Sequence, residues 1–135
     1  MKRRIAAALL VTLLPLGMAA CGSQSKADAC KEVQDAAAKV VEDFTASSAA
    51  LTDPQALKDQ MAKTADTFKE AAKKVSNKEV KDVLDPYVES LNKLKDMDPA
   101  GALSGDTEYT TAVSDASTKA NALASLCGIS GGLNN

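Results

Sequence analysis

The chain contains no histidine and no tryptophan, and only two Phe and two Tyr in 135 residues. Without an imidazole it excludes the hydrolase triads, His-rich zinc sites and histidine-based pH sensing. A Gly-rich phosphate loop is missing too. So is period-two alternation over any useful length, which argues against a sheet. What remains is 45% apolar and 25% charged, enough for one domain and too little for two. Cysteine is scarce and odd in number, with three residues, and the odd one needs an explanation.

The first twenty residues stand apart. Met1-Lys2-Arg3-Arg4 is a basic start, and Ile5 to Leu16 is an apolar run too short for a spanning helix of about 20 residues. Pro15 lies late in that run, and small residues then lead to Cys21. This is the layout of a cleaved secretory signal, which takes no part in the fold.

Met18-Ala19-Ala20-Cys21 resembles the lipobox of bacterial lipoproteins, with Met where Leu is usual. The resemblance covers only the first twenty-one residues. It implies that the Cys21 thiol receives a diacylglycerol, that the signal (1–20) is removed, and that Cys21 becomes the lipidated N-terminus. It places the protein on the extracytoplasmic face of an envelope membrane. A plain secretory signal with an incidental Cys21 is the alternative. Each buried acyl CH₂ contributes about 0.8 kcal/mol, so two or more chains would hold a soluble domain on a bilayer. Taking Lys2, Arg3 and Arg4 from the sixteen basic side chains leaves 13 against 18 acidic ones, a net of −5. That balance argues against nucleic acid as a partner and against electrostatic adhesion to anionic lipid.

Residues 21–26 read as a short tether, 27–128 as a helical bundle, and 129–135 as a flexible tail. The first helix is expected from Ala27 to Leu51, with Cys30, Val33, Ala37, Val40, Phe44, Ser47 and Leu51 on one face. Asp53-Pro54 should cap and open the second, whose stripe is Leu57, Met61, Thr64, Phe68, Ala71 and Val75. Ser76 and Glu79 have capping-box spacing for the third. Its stripe is Val80, Leu84, Tyr87, Leu91, Leu94 and Met97, and Pro86 should kink or split it. Asp96 to Asp106 reads as a loop, with Leu103 tucked onto the bundle end. The fourth helix should run from Thr107 to Cys127, with Tyr109, Val113, Ala116, Ala120, Leu123 and Cys127 inward and Gly128 in the left-handed cap position. Val41, Val83 and Val88 fall outside the stripes. The fold class is all-α, an up-down-up-down antiparallel four-helix bundle. The remainder is similar in composition and layout to small Ala-rich helical lipoproteins of high-GC Gram-positive bacteria.

Cys30 opens the first stripe and Cys127 closes the last, so both fall at one end of such a bundle in inward register. After export, a Cys30–Cys127 disulfide is the expected product, and Cys21 as lipid carrier then accounts for the third cysteine. Two buried free thiols acting as small hydrophobes are the alternative. The bond would matter, because Leu, Ile, Val and Phe total only 20 between Cys21 and Asn135.

No catalytic residue, metal ligand or cofactor site emerges, and the chain does not read as an enzyme. Asp28, Glu32, Asp35, Glu42 and Asp43 read as a solvated acidic face. Asp96, Asp98 and Asp106 lack EF-hand spacing. Lys69, Lys73, Lys74, Lys78 and Lys81 form a basic concentration diluted by Glu70, Glu79 and Asp82. No Ser has a candidate base. The expected function is a membrane-anchored structural or protein-interaction module with an envelope protein as partner. A carrier of a small apolar ligand, and an inhibitor or chaperone of a secreted protein, are the alternatives. Oligomeric state is open.

Overall fold

Each long helix begins where a side chain takes up an orphan backbone N–H. In a computed structural model describing residues 24–47 and 53–129, Ser25 caps α1 (Lys26–Ala46) by accepting from the Asp28 N–H. Asp53 accepts from Gln55 N and Pro54 opens α2 (Pro54–Lys74), as the sequence predicts. Asn77 caps α3 (Lys78–Asp96) through Val80 N. Asp106 accepts from both Glu108 N and Tyr109 N at the start of α5 (Thr107–Cys127). Gly128 ends α5 with φ 63°, the left-handed turn expected there.

The four long helices run up and down as an antiparallel bundle. The neighbours α1–α2, α2–α3 and α3–α5 pack along their lengths, whereas α1 and α5 meet less extensively and leave an open seam. A disulfide joins Cys30 to Cys127 across that seam at one end, with Cα atoms 5.1 Å apart. Around it lies the main core, in which Ala29, Val33, Val80 and Leu84 are fully buried. Phe68 and Tyr87 meet edge to face in the same core, centroids 5.0 Å apart. A smaller cluster of Leu94, Ala112 and Ala116, backed by Met61 and Met97, holds the other end.

Several details differ from expectation. The first helix begins at Lys26 and ends at Ala46, a turn short of Leu51, which lies outside the described residues. Thr45 and Ser47 help to end it. The Thr45 hydroxyl donates to Glu42 O, and the Ser47 N–H is shared between the Asp43 and Phe44 carbonyls. Asn77, not Ser76, caps α3. Ser76 instead binds Gln24, and Glu79 pairs with Lys26 at 2.7 Å. Pro86 does not split α3, which is continuous across it. The segment expected as a loop contains a short helix, α4 (Ala100–Ser104), started at Pro99 and ended by Gly105 at φ 72°. The Leu103 side chain and residues 130–135 lie outside what is described. Ile129, expected in the tail, packs against the main core.

The stripes also drift. Phe44 and Val113, expected inward, are 45% and 38% exposed, while Ala36 and Ala112 are buried. In α1 a strict seven-residue repeat slips about 20° per heptad around a straight helix, so Phe44 at its far end rotates out, whereas in α5 the buried face runs Tyr109, Ala112, Ala116 and Val113 lies beside it. Val88, expected outside, is buried, and Val83 is half-buried against the core; Val41 is exposed as expected.

Candidate functional site

Where the chain enters the bundle, it is fastened. The Ser76 N–H donates to Gln24 Oε1 at 2.9 Å, Asn77 Nδ2 donates to the Gln24 carbonyl at 3.1 Å, and the Gln24 N–H donates to Ser76 Oγ at 3.3 Å. Lys26 then crosses to Glu79. These contacts join residues about fifty positions apart and hold the start of α1 against the α2–α3 turn. That is the end of the bundle that also carries the disulfide. Sequence inspection missed them because Gln24 sits in a small polar stretch with no periodicity of its own. Cys21, the expected lipid carrier, lies outside the described residues.

The lysine concentration lies near the same turn, but four of its five charges, on Lys73, Lys74, Lys78 and Lys81, are spent on neighbours. Lys78 pairs with Asp82 at 2.6 Å, Lys81 with Asp85 at 3.3 Å, Lys74 with Glu32 at 3.5 Å, and Lys73 with Glu70. The hydrogen bond from Lys73, and then its charge, hold the Glu70 carboxyl below the usual range. A surface of paired charges offers an anionic partner little net field.

One constellation escaped the sequence entirely. Ser90 is buried in α3, and Lys119 Nζ donates to its Oγ at 2.7 Å. Asp115 Oδ2 accepts from Ser90 Oγ and from Lys119, each at 2.7 Å. The spacing of Asp115 and Lys119 marks an i,i+4 pair, but nothing local points to a serine 25 residues away. The groups of a serine–lysine dyad are present, but the Ser90 hydroxyl and Lys119 both donate to Asp115, so the carboxylate ties the pair together. The hydrogen bonds from Lys119 and Ser90 lower the Asp115 carboxyl below its ordinary value. The arrangement is a polar clasp between α3 and α5.

Two apolar hollows remain. The seam between α1 and α5 forms a groove of about 220 Å³, with Val33, Val40 and Val41 facing Leu123 and Ala124 above Phe68. At the opposite end a hollow of about 130 Å³ lies among Phe44, Leu57, Met61 and Leu91. Gln60 borders it, 7% exposed, and its Nε2 has no hydrogen-bond partner among the described residues. Both volumes fall below the roughly 300 Å³ of a drug-sized ligand site. The larger clefts are shallow and lined by charged or hydroxyl side chains such as Glu32, Lys39, Thr110 and Ser114.

Asp98 and Asp106 are engaged as local caps, Asp98 accepting from Ala100 N. Among the described residues no three potential metal ligands converge, and no helix is long and apolar enough to cross a membrane. The Tyr109 hydroxyl donates to Met61 Sδ at 3.7 Å, and burial raises the Tyr87 hydroxyl above its ordinary value. No protein family, curated protein or solved structure matches this chain.

Proposed function

We propose that this chain is an exported envelope lipoprotein, anchored by acyl groups on Cys21, whose bundle acts as a structural or protein-interaction module on the extracytoplasmic face of a membrane. The observation that carries this reading is the use of the cysteines. Cys30 and Cys127 form the disulfide, a bond that persists in oxidising compartments, and they leave Cys21 as the third. That third cysteine follows directly on a basic start, a twelve-residue apolar run and small residues. The fastening of Gln24 suits a domain that is loaded from its N-terminus.

The carrier reading rests on the seam groove, whose 220 Å³ suits no more than a small apolar molecule. The inhibitor or chaperone reading rests on Val41, Phe44 and Val113, the large apolar side chains exposed among the described residues. Neither has an observation as specific as the cysteine pattern.

Intact mass spectrometry of the protein from its native membrane, before and after thiol reduction, tests the anchor. The expected mass is Cys21–Asn135 plus acyl groups, rising on reduction by the mass of two hydrogens. An unlipidated mass, or one starting elsewhere, would remove the reading.

A further inference from the structure

We infer that the bundle stands end-on at the membrane, with the disulfide end and the α2–α3 turn in the headgroup layer and the opposite end facing away. The inference rests on the anchored reading and adds to it which surface meets lipid.

Cys21 precedes Gln24 by three residues, and a chain extends by at most about 3.6 Å per residue, so the Cys21 Cα lies within about 11 Å of the Gln24 Cα. Gln24 is not free to swing, because its N–H, its carbonyl and its side chain are all bonded to Ser76 or Asn77. The Lys26–Glu79 pair adds a second crossing one turn along. The tether therefore leaves the bundle at the α2–α3 turn. α3 rises about 28 Å from that turn at 1.5 Å per residue, more than twice what the tether spans.

Chemistry agrees with reach. The large apolar side chains exposed among the described residues, Val41, Phe44 and Val113, all lie in the half remote from the turn. The membrane-facing end instead offers ammonium–carboxylate pairs, with Lys78 the most exposed lysine among them, 86% open. Such an end suits a layer of phosphates and water, and among the described residues it presents no large exposed apolar side chain to hydrocarbon. Lying flat would need an adhesive flank, and the net charge of −5 after signal removal opposes one on anionic lipid.

The chain has no tryptophan, so single-Trp reporters are clean. Lys78→Trp marks the turn and Ser104→Trp the remote end; both positions are exposed. The lipidated protein, matured in a bacterial host, is reconstituted into phosphatidylcholine vesicles carrying a nitroxide on the headgroup. The expected result is several-fold greater quenching of Lys78→Trp than of Ser104→Trp. A Gly/Ser insert of about twelve residues between Ser23 and Gln24 should abolish the contrast, because a flexible tether lets either end approach. Equal quenching of both reporters or a reversed order would overturn the inference while leaving the anchor intact. Protein that fails to float with vesicles would overturn the anchor and the orientation together.

Discussion

The two ends of the bundle are built from the same kind of helix and are held by different means. At the disulfide end, Val33, Val80 and Leu84 are fully buried, a covalent bond closes the seam, and the incoming chain is tied across the α2–α3 turn. At the remote end the core thins to Leu94, Ala112 and Ala116 against two methionines. Phe44 and Val113 turn outward there, and the Nε2 of buried Gln60 has no hydrogen-bond partner among the described residues. The difference teaches that amphipathic spacing alone does not decide how tightly a helix packs. Large side chains, caps and a crosslink coincide at one end, and Ala and Met fill the other.

Removing the crosslink should have the largest effect, because it strikes the tighter end. Closing a loop of nearly 100 residues stabilises by about 4.7 kcal/mol in the chain-entropy account, and often by less. The Cys30→Ala/Cys127→Ala double variant should lose about 2–5 kcal/mol in chemical unfolding. Hydrogen exchange should quicken first in the opening turn of α1 and the closing turn of α5. An unchanged midpoint would mean that core packing alone holds the seam.

The second contrast compares one truncation at each end. Leu84→Ala should cost about 3–5 kcal/mol, since a fully buried site in a well-packed core cannot collapse to fill the void. Leu94→Ala should cost about 2 kcal/mol, since flexible Met61 and Met97 can move into the space. Equal losses in denaturant unfolding would show that the remote end packs as firmly as the other.

The same division explains what the sequence could reveal. Features coded within a few residues were legible: Asp53-Pro54, the limits of Thr107–Cys127 and Gly128. Cys30–Cys127 was legible because an up-down topology brings the first and last stripe positions to one end. The choice between Ser76 and Asn77 as cap was not legible. Both residues are good caps, and Gln24, 52 positions before Ser76, decides it by engaging the serine. Phe44 was misplaced because a 3-4 repeat was extended along α1, which does not supercoil enough to keep it facing inward, and Val113 was taken in place of its smaller neighbour Ala112, which faces the core. The five-residue α4 was hidden by Pro, Gly and Asp, which begin and end it as readily as they make a loop. Of the candidate site, the cysteines could be read in advance. The Gln24 fastening and the Ser90 clasp could not, since each depends on which helices become neighbours.

The smallest expected effect concerns that clasp, which gives the remote half a polar link where apolar packing is thin. Hydrogen bonds from Lys119 and then Ser90 depress the Asp115 carboxyl, so the folded chain holds a proton there less readily than the unfolded one. The link's stabilisation is therefore complete above the ordinary carboxylate value, near pH 4, and is lost as pH falls through the lower folded value. Asp115→Asn should be slightly less stable than the parent at pH 7, and the gap should close below about pH 4. Glu70, depressed by Lys73, provides the control at the other end, because its pair lies within α2 and joins no second helix. Glu70→Gln should therefore leave hydrogen exchange across every helix pair unchanged, whereas Asp115→Asn should quicken it in α5 at neutral pH. If both variants behave alike, the clasp does no more than any exposed ion pair, and the remote end is held by its few apolar contacts alone.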